Sequence, residues 1–147
     1  MNGKIRKIDG VLRNMKKHTI MKMDYVFRRR FIVIIETPKI KGIKATLDRL
    51  DEVASSLGFV RWQWEYYRAT YDLKYEDRST GEDYYLRVNA RVESGKLESP
   101  YAVLRLEDAY VGKATFPHGL DYDAPIPEAI LKASKQKLQE LERRLTA

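Results

Sequence analysis

The apolar residues of this chain change their spacing several times, and each change predicts a different element. The run Phe31-Ile32-Val33-Ile34-Ile35, continued to Thr37 and closed by Pro38, is rich in β-branched residues, as a buried strand requires. After a loop over 39–42, Leu47, Leu50, Val53, Ala54 and Leu57 recur at helical spacing. Asp48, Arg49, Asp51, Glu52 and Ser55 take the other side. Gly58 stands where a left-handed helix stop belongs, so the spacing predicts an amphipathic helix of about four turns.

Phe59 to Glu76 contains neither Gly nor Pro, and it alternates. From 60 to 66 the even positions are apolar or aromatic (Val60, Trp62, Trp64, Tyr66). From 67 to 75 the odd positions take over (Tyr67, Ala69, Tyr71, Leu73, Tyr75). A strand cannot change faces without an extra residue, so a β-bulge or a tight turn is expected at Tyr66–Tyr67. Arg78-Ser79-Thr80-Gly81-Glu82 reads as a turn. Tyr84, Leu86, Val88, Ala90 and Val92 then alternate with polar residues as the partner strand of a hairpin.

Beyond a polar loop over 94–100, Tyr101 to Glu107 and Ala109 to Phe116 read as two strands, interrupted by Gly112. Pro117-His118-Gly119 makes a turn, Asp121 to Pro125 a linker. Pro127 opens a last helix that runs to about Leu145, with Ile130, Leu131, Ser134, Leu138, Leu141 and Leu145 on its stripe. The order β-α-β-β-β-β-α predicts an α+β fold: a two-layer sandwich in which two helices cover a mainly antiparallel sheet of about five strands.

Charge separates the first thirty residues from the rest. The chain carries +7, yet 1–30 hold ten of its 28 basic groups and two of its 21 acidic ones. That leaves 18 basic against 19 acidic over 31–147. The reading is therefore a basic arm over 1–30, disordered or preceding the true start of translation, and a single α+β domain over 31–147. A domain without excess positive charge has little attraction for phosphate backbones, so no specific nucleic-acid partner is expected. The longest apolar run is five residues, too short for a membrane span or a secretory signal. There is no cysteine, which removes disulfides, thiolate nucleophiles and Cys-based metal sites. No cofactor or metal is expected, and the setting expected is cytoplasmic.

One resemblance is specific. Leu57-Gly58-Phe59-Val60-Arg61, Gln63-Trp64-Glu65-Tyr66 with Arg68, Thr70-Tyr71-Asp72, Tyr84-Tyr85-Leu86-Arg87-Val88, Gly112-Lys113 and Phe116-Pro117-His118-Gly119 together resemble the YugN-like family, small uncharacterised proteins of Gram-positive bacteria. The likeness covers roughly 33–145. It implies the strand–helix–sheet–helix fold and a cytoplasmic setting, and it implies no activity. Where the family pattern runs more aromatic after Gly-Lys, this chain has Ala114-Thr115-Phe116, which tells against a site built there.

Two sets of residues could carry chemistry. His118, with Asp121 and Asp123 in the same loop, has the makings of an oriented general base, but Pro-His-Gly is first of all turn chemistry. On the polar face of the strands, Arg61, Arg68 and Arg87 with Tyr85 could gather around one anionic ligand. The same face interleaves Asp72, Lys74, Arg91, Arg105 and Glu107, as cross-strand ion pairing on a solvated sheet requires. The aromatics fall mostly on the apolar phase, which suits a core or a self-association surface. The leading expectation is thus a non-enzymatic binding or interaction domain that forms a homodimer. The alternative is a small-anion-binding protein or weak enzyme using Arg61, Arg68, Tyr85, Arg87 and His118.

Overall fold

A computed structural model of the chain describes residues 33–35, 39–115 and 119–147; for 33–35, Gln63 and Trp64 it describes the backbone alone. The elements are β1 (Val33–Ile35), β2 (Lys44–Thr46), α1 (Leu47–Ser56), β3 (Val60–Glu65), β4 (Arg68–Asp77), β5 (Glu82–Ser94), β6 (Val103–Ala114), β7 (Leu120–Asp121) and α2 (Glu128–Thr146). The basic arm at 1–30 and the Phe116-Pro117-His118 segment lie outside the described residues.

The sheet runs β1-β6-β5-β4-β3, with the short β2 and β7 also paired to β6. Pairings from β2 to β7 are antiparallel. Its inner face carries Tyr71, Leu86, Val88, Leu104, Leu106 and Val111, all fully buried or nearly so. The helices contribute Leu50, Val53 and Ala54 from α1 and Ile130, Leu131, Leu138 and Leu141 from α2. Arg144 ties the helices together: its Nη1 donates to Ser56 Oγ at 2.7 Å, and its carbonyl accepts from Arg49 Nη2 at 3.0 Å. The α+β sandwich expected from the sequence is what the chain forms. Gly58 stops α1 at φ 100°, as the spacing predicted, and the Phe59 amide reaches back to the Ala54 carbonyl at 3.0 Å.

Two local expectations need correction. Gly112 does not divide two strands; β6 is continuous, and its irregularity lies where Glu107 and Asp108 face Asn89. Gly112 is needed for another reason. A Cβ there would stand 2.9 Å from Tyr122 Cδ1 and 3.0 Å from Leu120 Cβ, so glycine lets the chain fold back over the strand. Asp121, expected to open a linker, instead belongs with Leu120 to a short strand, β7.

The phase slip at Tyr66–Tyr67 is a two-residue turn, with Glu65 paired to Arg68 across it and a register shift between Gln63 and Glu65. Its consequence reverses the expected burial of β3. Val60 pairs with Asp72 and Trp62 with Thr70, so the apolar phase of β3 shares the outer, polar face of β4. Val60 is 58% exposed and Trp62 50%.

Candidate functional site

The outer face of the sheet is polar, yet its centre is not open to water. Thr70 and Asp72 are buried. Asp72 pairs with Arg87 across β4 and β5, and the guanidinium grips the carboxylate twice: Nε to Oδ1 and Nη2 to Oδ2, both at 2.8 Å. Arg87 Nη1 also donates to Tyr122 OH at 3.1 Å. Tyr122 reaches this point because Gly112 yields it room, and its ring meets Tyr110 edge-on at 5.1 Å. Beside them Thr70 Oγ1 donates to Asn89 Oδ1 at 2.8 Å, and Asn89 Nδ2 donates to Tyr110 OH at 2.6 Å. The grip of Asp72 holds the Arg87 guanidinium well above its ordinary pKa, while burial raises that of the Tyr122 hydroxyl. This is a closed network, its strong donors already committed to protein acceptors.

Toward the β3–β4 hairpin the same face is different. Arg68 stands opposite Arg91, Arg91 opposite Arg105, and Arg105 opposite Lys44, four cations side by side across four strands. Glu93 answers Arg105 at 2.8 Å and Lys44 at 3.1 Å, and Glu107 answers Arg91 at 3.2 Å. Arg68 Nε is buried and has no hydrogen-bond partner. Next to it the hairpin leaves Val60, Trp62, Tyr66 and Tyr67 between 49% and 62% exposed.

The residues nominated by sequence are thus only partly brought together. Arg68, Tyr85 and Arg87 share the outer face. Arg61 does not: it pairs with Tyr71 on the inner side, where its Nε lies 3.1 Å from Asp51 Oδ1. The same Asp51 oxygen accepts from Tyr71 OH at 2.7 Å, and burial, then this bond, raises the Tyr71 hydroxyl far above its ordinary pKa. Tyr85 stands between Lys74 and Gly112, and His118 lies outside the described residues. Asp121 Oδ1 accepts the Asp123 amide at 2.9 Å, a turn contact. Sequence reasoning missed Tyr110 and Tyr122; the signal was a glycine in mid-strand, ten residues before a tyrosine. A separate cleft of about 330 Å³, lined by Tyr75, Ala133, Gln136, Lys137 and Glu140, contains none of the nominated residues.

Comparison with known proteins shows the family. Residues 36–125 match the YugN-like family. The chain belongs to that family. It is 36% identical over 106 residues to the uncharacterized protein YlbA of Bacillus subtilis, a match covering 69% of this chain and 86% of that protein. It also superposes on the crystal structure of the uncharacterized conserved protein YugN from Geobacillus kaustophilus with a TM-score of 0.68. There the identity is 34%, covering 77% of this chain and 94% of the other. The YugN-like span takes in the closed network and the exposed hairpin alike, while α2 begins past its end. Among the described residues no helix is long and apolar enough to cross a membrane.

Proposed function

We propose that this YugN-like chain is a non-enzymatic binding and interaction domain that self-associates through the β3–β4 hairpin. The observation carrying the reading is the outward apolar phase of β3, the last strand in the sheet order: Val60 and Trp62 are exposed on it, and so are Tyr66 and Tyr67 in the turn that follows. Large exposed apolar clusters mark interaction sites, and an edge strand offers backbone donors and acceptors to another strand. A second copy is the natural occupant, because its own β3 presents the same groups, and the domain's near-zero charge over 31–147 sets up little self-repulsion. Nucleic-acid binding through residues 1–30 ranks last. The cysteine-free composition suits the cytoplasm, which is part of the same proposal.

Sedimentation equilibrium tests it. The full chain at about 100 µM should sediment mainly as a dimer, the state that a dissociation constant on the order of 10 µM populates at that concentration. The Val60→Lys/Tyr66→Ser variant should sediment as a monomer, because lysine on an edge strand blocks pairing. A wild-type monomer at that concentration, or an unchanged dimer in the variant, would refute the hairpin interface.

A further inference from the structure

Among the described residues of this row of cations, Arg68 alone forms no ion pair. Like charges directly opposite one another on neighbouring strands repel, their Cα atoms being about 5 Å apart. Each other member of the row is offset: Glu107 answers Arg91, and Glu93 answers both Arg105 and Lys44. Glu65 stands opposite Arg68 in the β3–β4 register, yet forms no ion pair with it. The Arg68 Nε–H is shut off from solvent without an acceptor, an arrangement that costs free energy and leaves the rest of the guanidinium with no protein carboxylate.

We propose that Arg68 and Arg91 form a binding site for an oxyanion, the carboxylate or phosphate group of a small ligand. Both side chains leave the same outer face from directly opposed positions. A guanidinium presents its N–H groups as a fork that matches two oxygens of one anion, and two guanidinia bracket it. Binding draws Arg91 partly away from Glu107, its partner at 3.2 Å, and that pair is exposed enough to be loosened readily. Trp62, half exposed, stands opposite Thr70, two residues along β4 from Arg68 on the same face. This goes beyond self-association, and neither reading depends on the other. It also moves the anion site away from Arg87, whose charge Asp72 already takes.

The test is an NMR titration of the full chain that follows the arginine Nε–H resonances. Sodium phosphate and sodium acetate are added separately, each against sodium chloride at matched ionic strength. The expected result is a saturable shift of the Arg68 and Arg91 signals with one of the two anions, at a dissociation constant on the order of a millimolar. The exposed turn residue Arg78 should stay unmoved. Saturation by phosphate assigns a phosphate ligand, and saturation by acetate a carboxylate. Arg68→Gln should abolish the Arg91 shift. Shifts that follow ionic strength alone, equal shifts at Arg78, or an Arg91 shift that survives Arg68→Gln would overturn the site. Should Arg68→Gln fail to fold, the wild-type titration against chloride and Arg78 decides by itself.

Discussion

Arg87 and Arg68 leave the same face of adjoining strands, β5 and β4. Asp72, which faces Arg87, sits four residues along β4 from Arg68, about 13 Å at the usual strand rise. One arginine is held by a buried carboxylate and a tyrosine; the other has a buried Nε–H with no acceptor. What separates them is cover. The chain after β6 returns over Gly112 and lays Tyr122 on the Arg87 end, whereas the Arg68 end is flanked by an exposed hairpin. An arginine on a sheet therefore does not announce its role by its face. Whether a carboxylate and a second layer meet it decides between a strut and a docking point.

The contrast can be broken at its strongest bond. Asp72→Ala leaves the Arg87 guanidinium part-buried and unanswered, and should cost about 2–4 kcal/mol in urea unfolding, below the full cost of a wholly buried pair because Arg87 keeps some solvent. Arg68→Gln should change stability by no more than about 0.5 kcal/mol, or raise it, since a like-charge contact with Arg91 disappears. Equal losses at the two positions would erase the distinction.

Next in size is the cover itself. Gly112→Ala places a methyl within 3.0 Å of Tyr122 and Leu120 and should cost about 1–3 kcal/mol through overpacking. The Arg87 Nε–H signal should shift as Tyr122 is displaced. A silent substitution would mean that Tyr122 does not rest on the strand.

Much of this fold was legible in the sequence, because burial enforces periodicity. The α1 stripe, the Gly58 stop, the β4–β5 hairpin and the α2 stripe all follow residues that the core demands. Phase errors arose where that demand lapses. Alternation in β3 reveals two faces without saying which is inside. The inner side went to Arg61 because Asp51 on α1 supplies a partner there, which leaves Val60 and Trp62 outside. The closed network was half legible: Asp72 and Arg87 stood on one face in the sequence pattern, but Tyr122 enters by a chain reversal that no local spacing encodes. The Arg68–Arg91 opposition needed the register, and the register depends on the turn at Tyr66–Tyr67.

A smaller effect sharpens the inner side of the comparison. Tyr71 keeps its proton in the folded state well past the ordinary tyrosine value of 10.0, so folded chains hold a proton that unfolded chains release above that pH. Its contribution is complete below pH 10 and is lost as pH rises further. Tyr71→Phe should cost about 1 kcal/mol at neutral pH through the lost Asp51 bond, and its unfolding curve should decline less steeply than that of wild type above pH 10. Parallel declines would place the high-pH sensitivity elsewhere.

The most direct measurement of the open end is hydrogen exchange of the β3 amides at two protein concentrations, about 5 and 500 µM, which bracket the range in which a stable dimer assembles. Covering of the hairpin by a second copy predicts that amides within Val60–Glu65 slow markedly at the higher concentration, while those of β5, at the centre of the sheet, keep one rate. Identical β3 rates at both concentrations, in a sample that sediments as a monomer, would contradict it.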